Sequence, residues 1–345
     1  MQDIKEIEKY LSSNISKISS DLKVRKALRF KSDLIKHTKE STVWHIKIMD
    51  DYNLVKEVFA KHTSSDEIFW EYQFLNKLNK LTTYNYKLSV PKPLFYLDTL
   101  KVLVTEKVKG VSFKQQLTKY NKIYSSRSKK EYLKEITISC AKWLKRFHRI
   151  DQKKDGKFIN SKYFEKFDYN LNALQTFNLP TNVMREIYDT RSALHKLRNT
   201  ERVHTSYLHG DFAPPNILVN EGSICVLDLS YKRRDLIYYD ISYFMLSILL
   251  VSPIYKPIYD GQSANEYAKV FLDTYFEEDG GPSVNDIFYI DVYYLRHLLS
   301  RIVRQYRKYY QTNNLVKRGI DVLYLREYYS TLIENNIRNI KTSLL

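Results

Sequence analysis

Asp211, Asn216 and Asp228 are the residues of this chain best placed, by type and spacing, to do chemistry. The stretch Tyr207-Leu208-His209-Gly210-Asp211-Phe212-Ala213-Pro214-Pro215-Asn216 runs from an apolar strand into a polar loop, with Asn216 five positions after Asp211. Ile217-Leu218-Val219 and Ile224-Cys225-Val226 then read as a short hairpin turned by Asn220-Glu221-Gly222, and Val226-Leu227-Asp228 ends it on a second acid. This order can bring two carboxylates and an amide oxygen to one point. Phosphoryl transfer needs such a point: one carboxylate orients a hydroxyl, and two oxygen ligands serve a magnesium ion.

The elements upstream must supply the nucleotide site. Phe59-Ala60-Lys61 ends a strand, and a lysine there can reach forward to phosphates as a point charge. Glu71 follows ten residues later on a predicted helix and can pair with Lys61, although each taken singly reads as a solvated charge. The run from Val102 to Val108 is either an ordinary edge strand or a crossing segment whose Glu106 carbonyl and Val108 amide meet the edge of a base. Strands are predicted at Val43 to Met49, alternating in polarity, and at Leu54 to His62, with Asp50-Asp51-Tyr52-Asn53 as their turn. Ser65 and Asp66 are N-cap candidates for a helix through Leu78, with Ile68, Tyr72, Leu75 and Leu78 on one face. Val90-Pro91-Lys92-Pro93 breaks the chain before a second hairpin, Leu94 to Tyr96 with Val102 to Val108, turned at Asp98-Thr99.

After Gly110 the pattern is helical. Tyr132, Ile136, Cys140, Trp143, Leu144 and Phe147 share one face over Glu131 to Arg149, and further helices are predicted near 240–251, 264–277, 284–310 and 322–340. The expected organisation is a helical extension at 1–20, a strand-rich nucleotide-binding lobe at 21–109 and a larger helical lobe, for catalysis and acceptor binding, at 110–345. The fold class is α+β.

Composition narrows the alternatives. With 43% hydrophobic residues the chain can build a substantial core, and 30 Tyr and 16 Phe should fill much of it, tyrosine hydroxyls near the surface. Cys140 and Cys225 stand at neither disulfide-framework nor zinc-site spacing, which fits a reducing compartment. Gly110 is the first glycine, so no glycine-marked phosphate loop precedes it, and Gly156-Lys157 lacks the upstream glycine of a P-loop. No secretory signal is visible at the N-terminus, and the longest apolar run, Ile241 to Val251, is too short to span a bilayer. A cytoplasmic protein without a transmembrane segment is expected. The net charge of +17 is uneven: +4 over residues 1–100, +13 over 101–164 and zero over 165–345. The basic 101–164 segment points either to an anionic partner (phosphorylated substrate, nucleic acid or membrane surface) or to a solvated helical face.

With these residues assembled, the chain resembles the aminoglycoside phosphotransferase and choline kinase group of the protein-kinase-like fold. The resemblance is best over residues 207–244, from His209-Gly210-Asp211 and Asn216 through Leu227-Asp228 to Asp240-Ile241-Ser242-Tyr243-Phe244. It extends more weakly over 43–150, through Lys61, Glu71-Tyr72, Leu103-Val104-Thr105-Glu106 and Trp143-Leu144-Lys145-Arg146-Phe147-His148, and Phe271-Leu272-Asp273-Thr274-Tyr275 also looks family-like. It implies a two-lobed fold and a set of roles. Asp211 would orient the acceptor hydroxyl, Asn216 and Asp228 would ligate Mg²⁺ across the phosphates of ATP or GTP, and Lys61, anchored by Glu71, would contact those phosphates. Asp240 would cap the catalytic loop, with His209 as structural support. The family's small or glycine-bearing turn over the phosphates corresponds to Lys36-His37-Thr38-Lys39-Glu40-Ser41-Thr42, which has no glycine, so Ser41, Thr42 and backbone amides would serve, with charge from Lys36 or Lys39. Ser230 stands where relatives often carry another acid or a small residue.

Three features speak against a protein kinase. Gly210 replaces an arginine that would read a phosphorylated activation loop, Ala213 replaces a lysine near the transferred phosphate, and 12 positions from Asp228 to Asp240 leave no room for an activation segment. The leading expectation is an ATP- and magnesium-dependent phosphotransferase acting on a hydroxyl of a small molecule or saccharide: a sugar, sugar phosphate or glycan. Lys232, Arg233 and Arg234 could ground an anionic group on that acceptor or lie on a solvated loop. The alternative is a catalytically silent kinase-like module that binds nucleic acid or an anionic membrane through 101–164. An atypical protein kinase is the third reading.

Overall fold

A computed structural model describes residues 2–13, 28–38, 41–50, 53–81, 89–156, 161–177, 179–196, 202–229, 234–251, 260–310 and 315–344. The chain divides into two compact units. The first comprises Met1–Gly110, Leu218–Asn220 and Ile224–Lys232; the second comprises Val111–Ile217, Glu221–Ser223 and Arg233–Leu345.

The first unit begins with helix α1 (Gln2–Ser13), followed by β1 (Leu28–His37), β2 (Ser41–Asp50), β3 (Asn53–Thr63), α2 (Glu67–Lys80), β4 (Pro93–Leu97) and β5 (Val102–Glu106). Among the described residues the strands form an antiparallel sheet in the order β1-β2-β3-β5-β4. Trp44, Ile46, Ile48, Val58, Ala60, Val102 and Val104 alternate inward to make its core, as a period of two requires. Ile7 of α1 is fully buried among them, so this helix packs on one face of the sheet. Burying one such side chain is worth about 1.5–3 kcal/mol.

β1 has no counterpart in the sequence reading. It is an edge strand with its outer residues in solvent and a register shift between Leu34 and Lys36, so no alternating apolar pattern marks it. The predicted β2–β3 hairpin pairs Asp50 with Asn53, and its tip, Asp51 and Tyr52, lies outside the described residues. The turn after β4 closes with the Lys101 amide donating to the Asp98 carbonyl. Asp66 occupies the N-cap position of α2 without a side-chain capping bond; its carboxylate pairs with Lys101 instead.

The second unit contains β6 (Val111–Ser112), α3 (Phe113–Tyr120), α4 (Arg127–Arg149), β7 (Lys153–Gly156), α5 (Ser161–Leu174), α6 (Thr181–Lys196) and β8 (Val203–Tyr207). The hairpin strands β9 (Ile217–Asn220) and β10 (Ser223–Val226) come next in the chain but belong mostly to the first unit, and the second resumes with β11 (Arg234–Leu236), α7 (Tyr238–Leu249), α8 (Gly261–Phe276), α9 (Val284–Tyr310) and α10 (Leu315–Leu344). Ser112 and Gln115 form a capping box that starts α3, worth about 1 kcal/mol. The inward face of α4 follows the predicted spacing through Ile136, Cys140, Trp143, Leu144 and Phe147, while Tyr132 is only half-buried. α4 packs on α8, and α9 packs on α5, α7 and α10.

The expectation that tyrosine hydroxyls stay near the surface is wrong. Tyr163, Tyr275, Tyr289, Tyr293, Tyr306 and Tyr329 are among the largest fully buried side chains. Internal acceptors make this affordable: Tyr163 donates to the Val292 carbonyl at 3.0 Å and Tyr329 to Gln305 Oε1 at 2.6 Å. Both cysteines are buried free thiols. Among the described residues no helix is long and apolar enough to cross a membrane.

Candidate active site

In the first unit a cavity of about 340 Å³ is lined by Ser41, Val43, Lys61, Glu71, Glu106, Val108 and Asp228, with Phe59, Leu103 and Leu227 on its apolar walls. β3 delivers Lys61 and α2 delivers Glu71. Lys61 Nζ lies 2.9 Å from Glu71 Oε2 and 2.9 Å from Asp228 Oδ1, so the ammonium bridges two acids. Burial opposes its charge, but the two carboxylates outweigh that and hold its pKa above the ordinary lysine value. Burial pushes the Glu71 carboxyl up, against the opposing pull of Lys61. Asp228 has φ of 55°, a left-handed conformation uncommon for a residue with a side chain and often found where function holds it.

The segment from Lys36 to Thr42 meets this cavity in part. Lys36 and Ser41 line it, whereas Lys39 and Glu40 lie outside the described residues. Thr42 does not share Ser41's position. Successive strand residues face opposite sides, and the Thr42 hydroxyl meets His37 Nδ1 at 3.0 Å. Glu106 also lines the cavity, and its carboxylate pairs with Lys56 at 2.6 Å.

In the second unit the loop after β8 carries Asp211. Asp240, in the first turn of α7, is fully buried and accepts from the His209 amide at 2.7 Å and the Gly210 amide at 2.9 Å. His148 of α4 lies 3.3 Å from the same carboxylate, and its other ring nitrogen meets the Tyr275 hydroxyl at 2.7 Å. Burial alone would raise the Asp240 pKa. The His148 hydrogen bond, the charges of His148 and His209 and the Gly210 amide overcome it, and the carboxyl lies below its ordinary value. Gly210 has φ of 81°, which explains a glycine here: a side chain would be strained in the turn that aims its amide at Asp240. His209 is buried, lies edge-on to Trp143 and Phe212, and its Nδ1 accepts from the Asp211 amide at 3.3 Å. Trp143 stacks on Phe212 with centroids 5.5 Å apart, so α4 forms an aromatic floor under the loop.

Asn216, at the end of a 3₁₀ turn begun by Pro214, donates through Nδ2 to the Asp211 carbonyl at 3.0 Å and to Asp211 Oδ2 at 2.8 Å. A carboxylate only accepts, so these contacts orient the amide and leave Oδ1 as its acceptor. Tyr243 of α7 hydrogen-bonds the Asp211 carboxylate. Asp211 and Gly210 open onto a second cavity of about 310 Å³, lined also by Tyr239, Tyr243, Lys166, Arg296, Arg301 and Arg304.

A family model described as "APH: Phosphotransferase enzyme family" matches residues 36–271. The chain belongs to this phosphotransferase family. It is a phosphotransferase (kinase) with an alcohol group as acceptor. Solved structures share its α+β kinase-like fold. A putative aminoglycoside phosphotransferase from Ralstonia eutropha JMP134 superposes with a TM-score of 0.60 at 12% identity, covering 96% of this chain and 98% of that one. "Amicoumacin kinase hAmiN in complex with AMP-PNP, Ca2+ and Ami" gives 0.55 at 15% identity, covering 95% and 96%. Choline kinase from Cryptosporidium parvum Iowa II gives 0.53 at 13% identity, covering 96% of each chain. No curated protein sequence matches the chain.

Arg234 is not at the Asp211 cavity: its guanidinium meets the Asp151 carboxylate at 2.5 Å and the Thr205 hydroxyl at 3.0 Å, fastening β11 and β8 to the end of α4. Lys232, Arg233 and Ser230 lie outside the described residues. Among the described residues, the basic 101–164 segment lends none to the lining of that cavity. Several of its charges meet acids from later in the chain: Lys130 with Asp260, Lys145 with Asp279 and Arg149 with Glu278. Tyr243 and His148, quoted in the sequence motifs, had no role assigned there, and the α9 arginines were missed. Their signal was present as Arg296, Arg301 and Arg304 at helical spacing, but a net charge of zero over 165–345 concealed it.

Proposed function

We infer that this phosphotransferase moves the γ-phosphate of ATP or GTP, with magnesium, to a hydroxyl of a small molecule or saccharide. The observation that carries the reading is Asp211: a carboxylate held by Asn216 and Tyr243 at the wall of a cavity large enough for a small acceptor. The first-unit cavity suits the nucleotide, with apolar walls for a base and Lys61 for its phosphates.

The donor chemistry also suits magnesium. Asp228 offers a half-exposed carboxylate, and Asn216 offers an amide oxygen left over when both its donor bonds turn to Asp211. Magnesium is commonly held by one or two protein oxygens together with substrate phosphates and water, without a closed protein cage. When bound, it would neutralise charge on the phosphate oxygens.

The chain's own residues do the rest. Asp211 accepts the hydrogen bond of the acceptor hydroxyl, points its oxygen at the γ-phosphorus and takes its proton as the new oxygen–phosphorus bond forms, while the bond from the γ-phosphorus to its bridging oxygen breaks and the nucleoside diphosphate leaves. Tyr243 remains protonated, because burial and the neighbouring Asp211 carboxylate push its pKa up, so it serves as a donor to Asp211 and not as a base. Asp240 fixes the loop amides and thereby where Asp211 points.

The test is Asp211→Asn, assayed with labelled ATP against metabolite and glycan extracts. Transfer should fall by about 10²–10⁴-fold, the usual contribution of a positioned acid–base group, while AMP-PNP binding persists. Undiminished transfer would end the assignment. Absence of any turnover in the unaltered protein, with steeply salt-dependent binding to RNA or anionic vesicles, would favour a silent binding module.

A further inference from the structure

The cavity at Asp211 is strongly cationic. α9 lines it with Arg296, Arg301 and Arg304, α5 adds Lys166, and Asp211 is the single acid among the described lining residues. A second hollow of about 310 Å³ shares Lys166, Ser300 and Arg304 and adds Arg307 and Lys308, so the positive surface continues along the helix.

These cations differ from several others in the second unit. Lys130, Lys145, Arg149, Arg191 and Arg234 each meet a carboxylate. Among the described residues none pairs with Arg296, Arg301 or Arg304. Arg296 is only 7% exposed, and a guanidinium that buried ordinarily meets an acid. Here it sits among the rings of Tyr163, Tyr239 and Tyr293, at 5.6, 5.4 and 5.9 Å from their centroids. Arg301 Nε is buried with no hydrogen-bond partner. Three guanidinium groups and an ammonium around one small cavity repel one another, a cost that an anionic guest removes. Guanidinium forks match the paired oxygens of phosphate and carboxylate.

We propose that the acceptor carries, besides its reacting hydroxyl, an anionic group, a phosphate monoester or a carboxylate, gripped by Arg301 and Arg304 with Arg296 and Lys166 beside them. This rests on the phosphotransfer reading of Asp211 and names the substrate class of that site. The hydroxyl faces Asp211 and the anion faces α9. Cationic acceptors, such as choline or a polyamine sugar, meet like charge there.

The test is calorimetric titration of the full chain with four probes of matched size: glucose, glucosamine, glucuronate and glucose 6-phosphate. AMP-PNP is titrated separately. The anionic probes should bind at least about tenfold more tightly than the neutral and cationic ones, with affinity falling as salt rises. Preference for glucose 6-phosphate over glucuronate identifies a phosphate, and the reverse a carboxylate. Arg301→Gln and Arg304→Gln should each erase most of that preference while AMP-PNP binds unchanged, which also reports that the variants are folded. Glucose or glucosamine binding as well as the anions, absence of saturable binding by both anions, or unchanged anion affinity in both variants would overturn the proposal. Loss of AMP-PNP binding by the unaltered protein, with anion binding intact, would sink the phosphotransfer reading and leave the cluster as an anion site.

Discussion

Replacing Asp240 should loosen the Asp211 loop from beneath. The carboxylate is fully buried and accepts two backbone amides, from His209 and Gly210, with His148 on the same oxygen as His209. Asp240→Ala leaves both amides without an acceptor. An unsatisfied buried group costs about 1–3 kcal/mol, so the pair predicts a loss of about 3–5 kcal/mol. Asp240→Asn keeps one acceptor and turns a donor towards the other amide, for about 2–3 kcal/mol. Urea unfolding reads the totals, and hydrogen exchange at the His209 and Gly210 amides should show protection lost first in this loop. Turnover should fall in both variants with nucleotide affinity retained, since Asp240 acts by positioning. The pH dependence follows from the lowered pKa. The native carboxylate binds its proton more weakly than the unfolded one, so its stabilisation is complete above the unfolded carboxylate range. It is lost as pH falls through the lowered native value. Wild-type and Asp240→Asn stabilities should therefore converge at acid pH, below about 4. An Asp240→Ala protein as stable as wild type at pH 7, with exchange unchanged at both amides, would refute the reasoning.

Two further outcomes follow from buried charge. Lys61→Met strips Glu71 of its cation; breaking a buried pair costs about 3–5 kcal/mol, and the partial exposure of Lys61 reduces this to about 2 kcal/mol. Thermal denaturation should show the loss and AMP-PNP titration a weakened affinity; unchanged affinity would remove Lys61 from the nucleotide site. Asp291 lies on α9, bonded to Asn336 of α10, and burial pushes its pKa up to about 6 against hydrogen bonds from Asn339 and Asn336. Its native state holds the proton more tightly than the unfolded chain, so stability is lost as pH rises from the ordinary carboxylate range through about 6. Asp291→Asn should gain about 1–2 kcal/mol at pH 7 and little below pH 4, because each pKa unit is worth about 1.4 kcal/mol before solvent screening. Equal urea midpoints at pH 7 would contradict this.

Much of the fold was legible because local signals agreed. The β2–β3 hairpin, α2, α4 and the helices from α7 to α10 follow apolar periods in the sequence, and Glu221 and Gly222 adopt the positive φ angles their turn needs. β1 was not legible, since its neighbouring apolar residues Leu34 and Ile35 are both exposed and its register shifts between Leu34 and Lys36, so no alternation marks it. The different facings of Ser41 and Thr42 depend on the strand they share, and Thr42 turns its hydroxyl to His37. The buried tyrosines were missed because a hydroxyl can go inside wherever a partner awaits it, and the partners, such as the Val292 carbonyl and Gln305, are far away in the chain.

The sequence by itself determined the chemistry on offer: an aspartate, an asparagine and a second aspartate at fixed spacings, a strand lysine and a helix glutamate, in the order of a phosphotransferase. Those identities are local and survive any reading of the chain. Tertiary structure decided which charges stay available. It paired Lys130, Lys145 and Arg149 of the basic segment with distant acids, committed Arg234 to Asp151, and left Arg296, Arg301 and Arg304 lining the cavity at Asp211. A sum of charges along the chain cannot separate these cases, because neutralisation depends on distance in space, and residues remote in sequence set that distance.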